Sequence, residues 1–385
     1  MIARSERSTL VARVSSLVVS VLVACAPATA TPQPPKQSAA TPEPAIPAIL
    51  ALFDRYEVVA MPEAHGNKDL DDFILALVRD SRFPDRVNDI VIECGNSLYQ
   101  PVLDQYIAGM DVPFTEARKA WRNTTQSMCG QSAFFELLFP LVRAINHKLP
   151  AARRLRVLGG DPPIDWDKVT TAEEARKFLD RWPSIASVME KEVLSRHRKA
   201  LMLFGTFHLF HTADSAVSRY EKTYPNVTFV ISDLGVYDAN RKPGSNSAFA
   251  SWPNPSLIPT KGTWLGTLTL SDIITPPVHA SFADCKVTIG FRPELQKPMA
   301  ALVDGFLYLG PAEYRLGELF PASFAIDTEY ITELQRRDSL LEVFGARSSQ
   351  QLHDEVVQDA QDPMLGAPPP PDVKALERDC LDRKK

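Results

Sequence analysis

Four short segments carry ionisable groups that together could hold a metal ion or activate a water molecule. They are Glu63-Ala64-His65-Gly66, Glu93-Cys94-Gly95-Asn96, Gly160-Asp161-Pro162-Pro163 and Gly205-Thr206-Phe207-His208, and each follows an apolar run. Mixed imidazole and carboxylate ligands suit Zn, Mn or Fe, and a bound metal acidifies its water enough for attack on an ester or amide near neutral pH. Without a metal, one imidazole can act as general base if a carboxylate orients it so that its free nitrogen faces the water. Glu63, His65, Glu93 and His208 are therefore the candidate catalytic residues, and the candidate ligands if a divalent metal is used. Asn96, Asp161, Asp165, Trp166 and Arg122 are the candidate substrate contacts.

Each of these residues also has a structural reading. Glu63 and His65 could cap the helix that follows. Glu93 comes straight after Ile90-Val91-Ile92, so its carboxylate is expected to be half-buried and to need a partner. Asp161, ahead of two prolines, could brace a turn. His211 reads as helix surface, and Arg122 as one half of a salt bridge. The chain has no GxSxG elbow, no GxxxxGK[ST] loop, no GxGxxG and no HExxH, which removes the familiar serine-hydrolase, P-loop, dinucleotide and zincin readings.

The elements that must position these groups alternate along the chain. Tyr56 to Met61 reads as a strand; Leu70, Phe73, Ile74, Leu77 and Val78 then mark one helical face, with Asn67 as N-cap. Val87 to Glu93, Arg154 to Gly159, Ala200 to Phe204 and Val227 to Ile231 read as further strands, separated by helices. Pro140 is expected to kink or restart the helix Ala133 to His147, and a break is expected near Trp182-Pro183. Apolar strands alternating with helices give an α/β fold, a mainly parallel central sheet with helices on both faces. Ligands in such sheets bind beyond the carboxyl ends of the strands, where the four segments fall. Residues 238–262 read as a long loop insertion, and Trp264 to Leu270, Lys286 to Ile289 and Gly305 to Leu309 as an α/β extension of the sheet. Asp327 to Val343 reads as helix.

The N-terminus has Arg4, Arg7 and Arg13 ahead of an apolar stretch ending at Ala24, too short for the roughly 20 residues a membrane-spanning helix needs. Residues 26–47 hold seven prolines and read as a solvated tether. The expected organisation is a signal peptide over 1–24, a Pro-rich tether over 25–47, one α/β domain over 48–360 and a Pro-rich, charged tail over 361–385. With a net charge of −5 and no basic cluster, nucleic acid is excluded as a partner and a small-molecule ligand or substrate is expected. Of Cys94, Cys129, Cys285 and Cys380, the expected pairing is Cys285 with Cys380, with Cys94 and Cys129 as buried thiols.

Leu22-Val23-Ala24-Cys25 resembles the lipobox of bacterial lipoprotein precursors, which implies lipidation at Cys25 and membrane anchoring in the cell envelope. The segments MPEAHG, IECGNSLYQPVLDQYIAG, RVLGGDPPIDW and LFGTFH together resemble the superfamily of erythromycin esterase, the haem-binding lipoprotein ChaN and the Tiki proteases, over roughly residues 52–235. Pro62 stands where that superfamily usually has Gly. The resemblance implies either an envelope-anchored hydrolase or a non-enzymatic haem-binding uptake lipoprotein, in which Tyr99, Tyr106 and Trp166 would matter more than the carboxylates. The implied cofactor is a divalent metal or haem.

Overall fold

The structure is a computed structural model that describes residues 40–383 apart from 64, 235–248, 250, 274–277, 282–283, 312–313, 342–347, 349, 352–353, 355–356, 359–360 and 362–371. Cys25 and most of the Pro-rich segments at both ends therefore lie outside the described residues.

An eight-stranded sheet organises the chain. Its strands are β1 (Glu43–Pro44), β2 (Val58–Pro62), β3 (Asp89–Asn96), β4 (Arg156–Asp161), β5 (Ala200–Phe204), β6 (Thr228–Asp233), β7 (Ser256–Pro259) and, after a separate hairpin, β10 (Gly305–Tyr308). The spatial order is β1-β7-β10-β6-β2-β5-β3-β4. Every pairing from β10 to β4 is parallel, while β7 and β1 add antiparallel strands at one edge.

Strand side chains alternate between two apolar layers. Val59, Met61, Ile90, Ile92, Leu201 and Leu203 pack with helices Ala45–Leu52, Lys68–Arg79, Gln100–Ile107, Phe114–Arg122 and Ala133–Lys148. Val58, Ala60, Val91, Ala200, Met202 and Val230 face Ile185, Met189, Val193, Val217 and Tyr220 on the other side. Burial on both faces explains why these strands read as continuous apolar runs rather than alternating ones. The fold is α/β, as expected.

Several elements differ from their sequence reading. The first helix starts at Ala45, inside the expected tether, because Ala45, Ile49 and Leu50 have a core to bury against. The helix Ala133–Lys148 runs through Pro140 without a restart. Ser256–Pro259, within the expected loop, is a strand paired to Gly305–Tyr308. Trp264 to Leu270 is not a strand: Trp264–Thr267 forms a 3-10 turn and Leu270–Ile273 a short helix, and Leu265 and Leu270 are buried from those turns. Lys286–Ile289 (β9) pairs with Val278–Ser281 (β8) in a separate two-stranded sheet and does not extend the main one. Within the expected tail Val373–Arg383 is helical, and Cys380 is disulfide-bonded to Cys285 as expected.

Candidate functional site

The carboxyl ends of β2, β5, β3 and β4 lie side by side in the sheet, so the four segments meet at one rim. Register enforces this, with Pro62 opposite Phe204 and Ile92 opposite Leu203. The β3–β4 register shifts between Ile92 and Asn96, a bulge that re-aims the end of β3. Two glycines permit it, because a Cβ on Gly95 would stand 2.6 Å from the Gly159 Cα and one on Gly159 2.5 Å from the Gly95 carbonyl oxygen.

Glu63 and His65 form a pair. The carboxyl of Glu63 is buried, and its Oε2 lies 3.0 Å from His65 Nδ1. His65 is partly exposed, and its Nε2 has no partner among the described residues. Burial disfavours the imidazolium, but Glu63, by charge and hydrogen bond, and then Glu93 outweigh it and raise His65 to about 9. Gly66 follows with φ +88°, a left-handed turn that leads into the cap of the next helix, where Asn67 Oδ1 accepts from Leu70 N at 3.2 Å.

A second network surrounds Glu93. Its Oε1 accepts from Arg181 Nη1 at 2.8 Å and Gln126 Nε2 at 2.7 Å and lies 3.2 Å from His208 Nε2, while Oε2 accepts from the Gly205 amide. Burial works against the charge, yet His208, Arg181 and His65 hold this carboxyl well below the usual range. Arg181 also donates from Nε to Asp161 Oδ1 at 2.6 Å. Burial raises the Asp161 carboxyl against the pull of Arg181 and of two Thr125 hydrogen bonds. Burial likewise opposes the Arg181 charge, but Asp161 and Glu93 prevail and keep the guanidinium protonated. Its Nη2 is buried and has no hydrogen-bond partner among the described residues.

His208 is engaged at both nitrogens. Trp182 Nε1 donates to its Nδ1 at 2.9 Å, which assigns the proton to Nε2, the nitrogen facing Glu93. In this arrangement each His208 nitrogen faces a side-chain partner, Trp182 on one side and Glu93 on the other.

The structure does not gather the four candidate ligands around one metal position. Among the described residues, donor atoms of Glu63, His65 and Cys94 lie within 4.8 Å of one another; Glu93 and His208 are outside that group. The buried Arg181 guanidinium already supplies the positive charge beside Glu93. Cys94 offers no thiolate because it is bonded to Cys129, a correction to the reading of both as buried thiols. Glu63 and His65 alone fall short of the three protein ligands that catalytic zinc sites use.

Most of the expected substrate contacts have partners within the fold. Asn96 Nδ2 donates to the Asn123 and Ile164 carbonyls and its Oδ1 accepts from Leu98 N, so its side chain is spent on the loops. Trp166 is buried and donates to the Thr124 carbonyl. Arg122 pairs with Asp327 at 2.7 Å and stacks over Tyr330. Asp165 pairs with Lys168. Asp161 is the one that joins the cluster, through Arg181. The aromatics of the haem reading are also engaged in the scaffold: Tyr99 accepts from Asn123 Nδ2, and Tyr106 packs on Phe114 and Arg143.

Sequence reasoning missed Arg181, Trp182 and Gln126. Pro183 in the first turn fixes a helix start at Trp182, and this break sets Arg181 and Trp182 against the strand ends. The break was readable; the aim of the two side chains was not. Gln126 is held beside the Cys94–Cys129 bridge, whose partner cysteine lies in the turn Ser127–Gln131.

No family model matches the chain, and no curated protein matches it. Solved structures give similar backbones. A protein from Bacillus cereus is 12% identical, with a TM-score of 0.45 over 71% of this chain and 95% of its own. A mutant of the erythromycin esterase EreC in an open conformation is 12% identical, with a TM-score of 0.41 over 68% of this chain and 92% of its own. Haem-bound ChaN of Campylobacter jejuni is 14% identical, with a TM-score of 0.31 over 49% of this chain and 84% of its own. The last two bear the names of branches that the sequence motifs resemble.

Proposed function

We propose that the protein is an envelope-anchored lipoprotein hydrolase that cleaves an ester or amide of a small molecule by metal-free attack of water, with the Glu63–His65 pair as its proton-transfer centre. The observation that carries this reading is the pair itself: a buried carboxyl on Nδ1 of a partly exposed histidine whose Nε2 has no partner among the described residues. Glu63 fixes the ring and stabilises the imidazolium, and Nε2 takes a proton from the attacking water and returns it to the leaving group. Arg181 places a buried positive charge in the neighbouring network beside Glu93. Glu93, His208, Trp182 and Asp161 hold that guanidinium in place. Because His65 sits at about 9, it is protonated at neutral pH, and its basic form grows in as the pH approaches 9. Lipidation at Cys25 would place the site at the membrane.

The test is a panel of small acyl esters and amides assayed with the wild-type protein and with His65→Ala. Turnover that rises towards pH 9 and disappears in the variant supports the proposal. Saturable haem binding with a Soret shift and no turnover on any member would overturn it in favour of the uptake reading.

A further inference from the structure

The Cys94–Cys129 disulfide lies beside the Glu63–His65 pair, and nothing in the hydrolytic reading uses its sulfur atoms. Cys94 Sγ is 4.0 Å from His65 Nδ1, which is itself 3.0 Å from Glu63 Oε2, and the three donor atoms all fall within 4.8 Å of one another. A tetrahedral ion with bonds of about 2.0–2.3 Å places its ligand atoms roughly 3.3–3.7 Å apart, so the existing positions need only small shifts to close around it. One carboxylate, one imidazole and one thiolate form a donor set that suits Zn(II) or Co(II), and three protein ligands leave a fourth position for water.

We infer that Cys94, once freed from Cys129, completes a divalent-metal site with Glu63 and His65. In the disulfide-bonded protein the site is short of one ligand; in the reduced protein it is whole. A dithiol reductant supplies the two electrons: the Sγ–Sγ bond breaks, Cys94 and Cys129 become thiols, and the reductant closes to its own disulfide. Metal binding then displaces one proton from the Cys94 thiol and one from His65 Nδ1 to solvent. The inference stands on ligand positions and not on the hydrolase reading, so it survives if no ester or amide is cleaved.

Cys94 and Cys129 are fully buried, so the direct probe is the Cys129→Ser protein, which reaches the reduced arrangement without admitting a reductant. Titrated with Co(II), this variant is expected to bind one ion per chain and to develop a near-ultraviolet thiolate-to-cobalt charge-transfer band. The band should be absent from the disulfide-bonded wild type and from Cys94→Ser/Cys129→Ser, and His65→Ala in the Cys129→Ser background should weaken Co(II) binding at least tenfold. Should Cys129→Ser not fold, wild type reduced with dithiothreitol and desalted without oxygen, compared with Cys94→Ser treated the same way, gives the same reading. No band in the folded reduced protein, or an equal band without Cys94, overturns the inference.

Discussion

Two histidines of this fold sit against carboxylates, and they differ in how many of their ring nitrogens are engaged. His211 lies 2.8 Å from Glu221 Oε2 through Nδ1 and 2.6 Å from Asp304 Oδ2 through Nε2. Asp304 is further tied to Lys261 and to the Val230 amide. For His211, as for His65, burial opposes the charge while adjacent carboxylates outweigh it, and both are raised to about 9. A perturbed titration therefore does not distinguish them. What distinguishes them is valence: His211 uses both nitrogens to clamp the segment after β5 to the start of β10, whereas among the described residues His65 has a partner on one alone. His208 belongs with His211 in this respect, since Trp182 and Glu93 occupy its two sides.

The comparison is easiest to break at its extremes. Replacing His65 by Ala should lower hydrolysis by about 10²–10⁴-fold, the usual worth of a positioned acid–base group, with little change in melting temperature. Activity and unfolding measured on the same sample check both halves. Arg181→Met should act on folding, because it strands Glu93 and Asp161 as buried carboxyls; a loss of about 3–5 kcal/mol in urea unfolding is expected. His211→Ala should cost roughly 2–3 kcal/mol and leave the pH profile of turnover unchanged. The sign of its pH dependence is fixed: a histidine raised from 6.5 to about 9 contributes its full stabilisation below about pH 6.5 and loses it as the pH climbs through 9. The stability gap between wild type and His211→Ala should therefore narrow across that window. Asn96→Ala is expected to have the smallest effect, about 1–3 kcal/mol through three lost loop hydrogen bonds, without altering substrate affinity. A changed KM in a stable Asn96 variant would return that residue to the site.

The parallel body of the sheet was legible because its strands are buried on both faces, and Ala200–Phe204 falls where its apolar run places it. Ser256–Pro259 was hidden by the Asn, Pro and Ser around it, and it is held as a strand by pairing to Gly305–Tyr308. Trp264 to Leu270 misled in the opposite direction, since apolar content alone does not separate a strand from a tight turn that buries its leucines. At the rim, the chain positions of Glu63, His65, Glu93 and His208 were readable, but the direction of each polar group was not. Asn96, Arg122 and Trp166 lie near enough in sequence to suggest binding, yet all three face inward to carbonyls or carboxylates. Arg181 emerges only when the helix break is folded against the strand ends.

Carbethoxylation by diethyl pyrocarbonate, followed by peptide mapping alongside residual turnover, tests most directly whether the open nitrogen of His65 is the reactive one. The account predicts that inactivation keeps step with modification of His65, quickens as the pH approaches 9, and leaves His211 unmodified while the protein stays folded. Full turnover with His65 modified, or complete inactivation with His65 intact, would contradict it.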